Sequence, residues 1–170
     1  PENYYHLEVG FNLKNKLVSI LNIISAKKMF NDKYPYRSSM SKTMLHAFKK
    51  IAQRIKKTFN PNFVIEIGSN DGSFIKNFNK KKVISIEPCS NMAKITNAMG
   101  YKTYPNFWNI KLAKKIKLKV KNIDLIYAAN TVSHIRDLNS VFKSIGHVLS
   151  DNGILIIEDP SLLDCFKKES

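Results

Sequence analysis

Apolar positions in this chain fall into five short runs, at 63–67, 83–87, 101–104, 123–128 and 154–158. All but 101–104 are nearly continuous in apolar residues, the pattern of strands buried on both faces. Between the runs the period changes to that of a helix. Met44, Leu45, Phe48, Ile51, Ala52 and Ile55 recur at helical spacing, from a cap at Ser39 or Ser41 to about Lys57. Asn60-Pro61 ends that element, and further helices are predicted over 73–79, 90–99, 109–117 and 137–149. Asp151-Asn152-Gly153 reads as the turn into the last strand. Strands alternating with helices predict an α/β domain of three layers, αβα, around a mostly parallel sheet. The first 33 residues follow another pattern. Leu7–Phe11 and Leu17–Leu21 read as two short strands about a turn at Phe11–Asn15. They form an appendage (1–33) to the domain (34–170).

Composition narrows the picture. A chain of 170 residues with 44% hydrophobic side chains supports one core of ordinary size. No apolar run approaches the ~18 residues of a membrane span, so no membrane partner is expected. The net charge of +15 points toward anionic partners. Yet 25 of the 28 basic residues are lysine, with arginine only at Arg37, Arg54 and Arg136. Phosphate-reading surfaces use arginine forks as well, and no aromatic platform for RNA is evident. The charge therefore reads mainly as diffuse surface charge, with an anionic small molecule such as a diphosphate kept open and nucleic acid disfavoured. Cys89 and Cys165 are far apart, which suggests free thiols in a reducing, cytoplasmic setting. No Cys/His group has metal spacing. The first residue is Pro1 rather than Met, so a fragment is expected.

Candidate chemistry gathers where the strands end. Strand 63–67 runs into Gly68-Ser69-Asn70-Asp71-Gly72, and the next strand ends at Glu87-Pro88. A glycine turn followed by an acid at the tip of the next strand forms a nucleoside-binding unit. Glycine lets backbone approach a ligand, and the acid accepts two ribose hydroxyls. Asn70 stands where dinucleotide enzymes carry a second glycine. The form Glu66-x-Gly68-x-x-x-Gly72 resembles that of methyltransferases binding S-adenosylmethionine, with Glu66, Gly68, Ser69 and Asp71 around the methionine end. Phe107, past the third strand, is a candidate for the adenine pocket or a core aromatic. Asn130 and His134 follow the fourth strand, in the crevice where ligands of such sheets bind. His134 is thus a candidate for proton transfer, whereas His6, His46 and His147 lack that context. Tyr34, Tyr36, Arg37, Ser38 and Ser39 could hydrogen-bond a sugar or phosphate, or simply form a helix-entry loop.

Together these segments resemble the nucleotide-sugar C-methyltransferases, a class I methyltransferase family of Rossmann-like fold. The matching stretches are 34–41, 64–72, 86–88, 130–134 and 153–160. The resemblance implies S-adenosylmethionine as cofactor and a nucleotide-diphosphate deoxy keto-sugar as substrate. It places Tyr36 and Ser38 near the sugar and Asn130 and His134 at the acceptor. It also implies the reaction: a base removes the proton beside the ketone, and the enolate carbon attacks the methyl group in line. Two departures qualify it. The family's amino-terminal zinc module is reduced to a remnant in which Asn12 and Asn15 stand for cysteines, so no zinc is expected. The family's last strands and its Tyr-x-x-His segment have no counterpart, so this chain is expected to bind cofactor yet lack the main base. Methyl transfer to another small molecule, or a non-catalytic or RNA-binding methyltransferase-like domain, remain the alternatives. Oligomeric state is not legible.

Overall fold

The computed structural model describes residues 4–168. Residues 1–3 of the appendage and 169–170 of the domain lie outside the described residues. The chain opens with β1 (Val9–Phe11) and β2 (Val18–Ile20), then α1 (Ala26–Met29) and α2 (Lys42–Phe59). Next come β3 (Val64–Ile67), β4 (Val83–Ile86), α3 (Ser90–Ala98), β5 (Lys102–Tyr104) and α4 (Ile110–Lys117). Then follow β6 (Leu125–Ala129), α5 (Leu138–Val148), β7 (Ile154–Glu158) and α6 (Leu162–Lys168).

The five later strands form one parallel sheet in the order β5-β4-β3-β6-β7. Successive strand residues face opposite sides, and the two sides bury different helices. Ile65, Ile67, Ile84, Ile86, Ile126 and Ala128 pack toward α4 and α5 against Leu112, Ile116, Val141 and Ile145. Val64, Val83, Leu125 and Tyr127 pack toward α2 against Phe48, Ala52 and Ile55. Each fully buried Ile or Leu contributes roughly 1.5–3 kcal/mol. Tyr127 lies stacked on Phe74 with ring centroids 3.8 Å apart, and its hydroxyl donates to Glu158 Oε2 at 2.9 Å. The three-layer expectation therefore holds. The order in which strands are added reverses about β3, whose neighbours β4 and β6 lead to opposite edges. That point, at the carboxyl ends of the strands, is where a crevice opens in such sheets.

Local signals explain the element ends. Ser41 accepts the Met44 N–H and starts α2, and Asn60 at φ 42° ends it before Pro61. Asn109 and Asp137 cap α4 and α5 in the same way. The helix expected over 73–79 is not formed. A single 3-10 turn, Ile75–Asn77, takes its place. Asn77 Nδ2 donates to the Phe74 carbonyl at 2.8 Å, giving the backbone an alternative to helix. The short helices α1 and α6 carry no pattern that predicts them.

In the appendage β1 and β2 pair antiparallel, Val9 opposite Ile20. Asn12 Oδ1 accepts the N–H groups of Lys14 and Asn15, and Asn15 Oδ1 accepts that of Leu17. These two side-chain amides thus hold the turn. Among the described residues no helix is long and apolar enough to cross a membrane, and no His, Cys, Asp and Glu side chains gather to hold a metal ion.

Candidate functional site

A cavity of about 830 Å³ opens at the carboxyl ends of β3, β4 and β6. Its floor is the bend after β3. The N–H groups of Gly68 and Ser69 both donate to the Ile86 carbonyl, at 2.8 and 3.2 Å, tying the bend to β4. Gly68 has φ +75°, and a Cβ there would lie 2.2 Å from Thr131 Oγ1, so the loops after β3 and β6 touch through it. Asn70 takes the left-handed conformation at φ 49°, which asparagine tolerates. Its side chain is engaged with the 36–39 segment: Oδ1 accepts the Ser38 N–H at 2.9 Å and Nδ2 donates to the Tyr36 carbonyl at 3.1 Å. Asp71 does likewise, accepting the Ser39 N–H at 3.0 Å and the Ser73 hydroxyl at 2.7 Å. The bend therefore grips the 36–39 segment and holds it at the cavity.

Glu87 follows β4 and faces the bend. Its Oε2 accepts the Asn70 N–H at 2.7 Å and its Oε1 the Cys89 N–H at 2.8 Å. Each carboxylate oxygen retains a second acceptor direction. Burial pushes the Glu87 carboxyl above the usual range, and the two N–H donors pull it back. Glu66 lies deeper, buried, with Oε2 lacking any partner. Burial first, then the charge of Glu87, raises its carboxyl well above the ordinary value. Burial and the neighbouring Glu87 push the Cys89 thiol up to about 12.

The opposite wall follows β6. Asn130 at φ 48° donates its N–H to the Glu158 carbonyl at 2.7 Å. His134 ends a 3-10 turn, Val132–His134, with the Phe30 ring edge-on at 5.7 Å. Phe30 also meets Tyr34 at 5.6 Å, and Asn91 Nδ2 fixes the Tyr34 carbonyl at 2.8 Å.

Most expected site residues come together here. Glu66, Gly68, Ser69, Asn70, Glu87 and Pro88 line one part of the cavity. Tyr34, Tyr36, Ser38, Phe107, Asn130 and His134 line the rest. Ser39, Asp71 and Gly72 do not line it: Asp71 accepts the Ser39 N–H, and the Gly72 N–H donates to the Ser69 carbonyl at 2.9 Å. Trp108, Thr131 and Arg136 also line the cavity, as do Ile23, Ile24 and Phe30 of the appendage. Trp108 and Arg136 had a signal, each lying one or two residues from a candidate. The appendage residues had none, because only the folded chain brings them across the strand ends.

The unpartnered Glu66 oxygen, the bend with its glycine-requiring position at Gly68, and the half-free Glu87 oxygens fit a ligand that carries a cation and a sugar diol. Comparison with known proteins gives the family. Residues 36–169 match the family model described as "Methyltransferase domain". The C-methyltransferase NovU of Streptomyces niveus is 24% identical over 98% of this chain, which spans 40% of that protein's length. A SAM-dependent methyltransferase from Archaeoglobus fulgidus superposes with TM-score 0.57 at 18% identity, over 69% of this chain and 54% of that one. The plantazolicin methyltransferase BpumL in complex with SAH superposes with TM-score 0.58 at 14% identity, over 77% and 53%. At these identities the structural likeness is one of fold. The chain belongs to the methyltransferase-domain family, and it shares its fold with S-adenosylmethionine-dependent methyltransferases.

Proposed function

Proceeding from that membership, we propose that this chain binds S-adenosylmethionine and serves methyl transfer to a carbon of a nucleotide-linked deoxy keto-sugar. One observation carries the cofactor site: the Glu87 carboxylate is held against the Gly68–Asn70 bend, inside the cavity, with an acceptor direction left on each oxygen. Two adjacent ribose hydroxyls suit that pair. Glu66, without a partner on Oε2, suits the ammonium of the methionine end. Phe107 and Pro88 flank the nucleoside, and backbone at Gly68 and Ser69 lies beneath the methionine end. When bound, the cofactor supplies a methyl group on a positively charged sulfur. Asp71, Gly72 and Ser39 do not touch it in this scheme. They support the bend from behind, through the Ser39 N–H on Asp71 and the Gly72 N–H on the Ser69 carbonyl.

The acceptor reading has separate support. It draws on the likeness to NovU and on Tyr34, Tyr36, Ser38, Asn130 and His134 sharing one cavity. In it Tyr36 and Ser38 hydrogen-bond the sugar, while Asn130 donates to the carbonyl oxygen and His134 assists the proton transfer beside it. Residues 1–33 are then a former zinc module whose turn amides replaced its ligands.

Calorimetric titration with S-adenosylhomocysteine tests the cofactor site. Saturable binding is expected, weakened tenfold or more in Glu87→Ala. A folded chain giving no heat at millimolar ligand refutes the site. Binding of thymidine-diphosphate sugars by the full-length protein tests the acceptor class, and its absence refutes the sugar reading alone.

A further inference from the structure

The cavity is electrically polar. Glu66 and Glu87 lie in the part formed by β3 and β4, and Arg136 lines the part formed after β6, two residues from His134. No contact explains the guanidinium: among the described residues it has no ion pair and no hydrogen bond. Asp137, the next residue, is engaged elsewhere, and so is Asp159 after the last strand. Asp137 Oδ1 accepts the Ser140 N–H at 3.0 Å, and Asp159 Oδ1 accepts the Ser133 hydroxyl at 2.9 Å. Surface cations in this chain are almost all lysine, and arginine occurs at three positions. A planar fork of donors suits a bidentate oxyanion, whereas a lysine offers only a point charge. The cavity volume, about 830 Å³, is near the top of the range for single small ligands. It leaves space beside a cofactor.

We infer that Arg136 is an anion-binding residue of the acceptor half of the cavity and holds a phosphate of a diphosphate-bearing acceptor. The inference rests on the methyl-transfer reading above. It makes the cavity a two-ended clamp: acids hold the cationic cofactor, and a guanidinium holds the anionic end of the acceptor.

Inorganic pyrophosphate is the probe, titrated calorimetrically at about 150 mM salt into the chain saturated with S-adenosylhomocysteine. Saturable binding is expected, weaker by about tenfold in Arg136→Gln, the loss typical of a charge-assisted contact. Arg136→Lys should fall between the two. Arg54→Gln, at an exposed position of α2, should bind as the unaltered chain does. Affinity for S-adenosylhomocysteine and the melting temperature should not change in Arg136→Gln, since Arg136 is exposed and unpaired. Equal pyrophosphate affinity in Arg136→Gln and the unaltered chain overturns the inference. So does equal loss in Arg54→Gln, or no binding at all. Malonate bound through Arg136 with pyrophosphate ignored overturns the phosphate assignment. If S-adenosylhomocysteine itself fails to bind, the cofactor reading falls, and pyrophosphate titrated into the ligand-free chain then decides Arg136 separately.

Discussion

Replacing Gly68 by alanine strikes the contact that joins the two halves of the crevice. Two costs follow from its geometry. At φ +75° an L-residue is held in the left-handed region, which costs roughly 1–2 kcal/mol. The new Cβ would lie 2.2 Å from Thr131 Oγ1 and 2.9 Å from its Cγ2, so Thr131 must move. Moving it breaks the 2.8 Å bond from Thr131 Oγ1 to the Ala129 carbonyl, worth about 1 kcal/mol. Gly68→Ala should therefore destabilise the chain by about 2–3 kcal/mol, lowering Tm by about 5–10 °C for a domain of this size. Only the second cost depends on Thr131. In a Thr131→Ala background the Gly68→Ala penalty should shrink to the conformational part, a coupling of about 1 kcal/mol in a double-mutant cycle. Urea unfolding of the four variants measures it. A fully additive cycle, or a Gly68→Ala chain as stable as the original, refutes the packing of these two loops.

Glu66→Gln should raise stability at neutral pH. A carboxyl raised in the folded state stabilises below its unfolded value, near ~4.3, and that stability is lost as pH rises through the raised folded value. The gain in Glu66→Gln should hence vanish toward pH 4, as urea midpoints across pH will show, and a pH-independent difference contradicts it. Cys89, buried and with its thiol near 12, should resist iodoacetamide at pH 8 in the folded chain, while the half-buried Cys165 reacts. Counting labelled thiols by mass before and after denaturation checks this. Ser41→Ala removes the acceptor for the Met44 N–H and should cost about 1 kcal/mol in the same urea assay. No change there would mean that water replaces the cap.

Strand positions were legible because parallel strands buried on both faces leave short apolar runs, here bounded by Gly, Pro and Asn turn signals. The Ser41 cap and the Asn60-Pro61 stop are equally local, and α2 begins and ends at them. The 73–79 segment misleads for the same reason. Its local spacing permits a helix, but Asn77 binds the Phe74 carbonyl and Phe74 is drawn onto Tyr127. Glu87 was legible as a strand-tip acid, yet the sequence says nothing of its two backbone donors.

Short-range chemistry, written in the order of residues, determined the α/β alternation, the glycine bend and the strand-end acid. Contacts between residues far apart in the chain were decided only by folding. They include Asn70 and Asp71 turned to the 36–39 backbone, Phe30 laid against His134, and Thr131 closing over Gly68. The reason is physical: periodicity records which face of an element avoids water, but not which distant loop will meet it there.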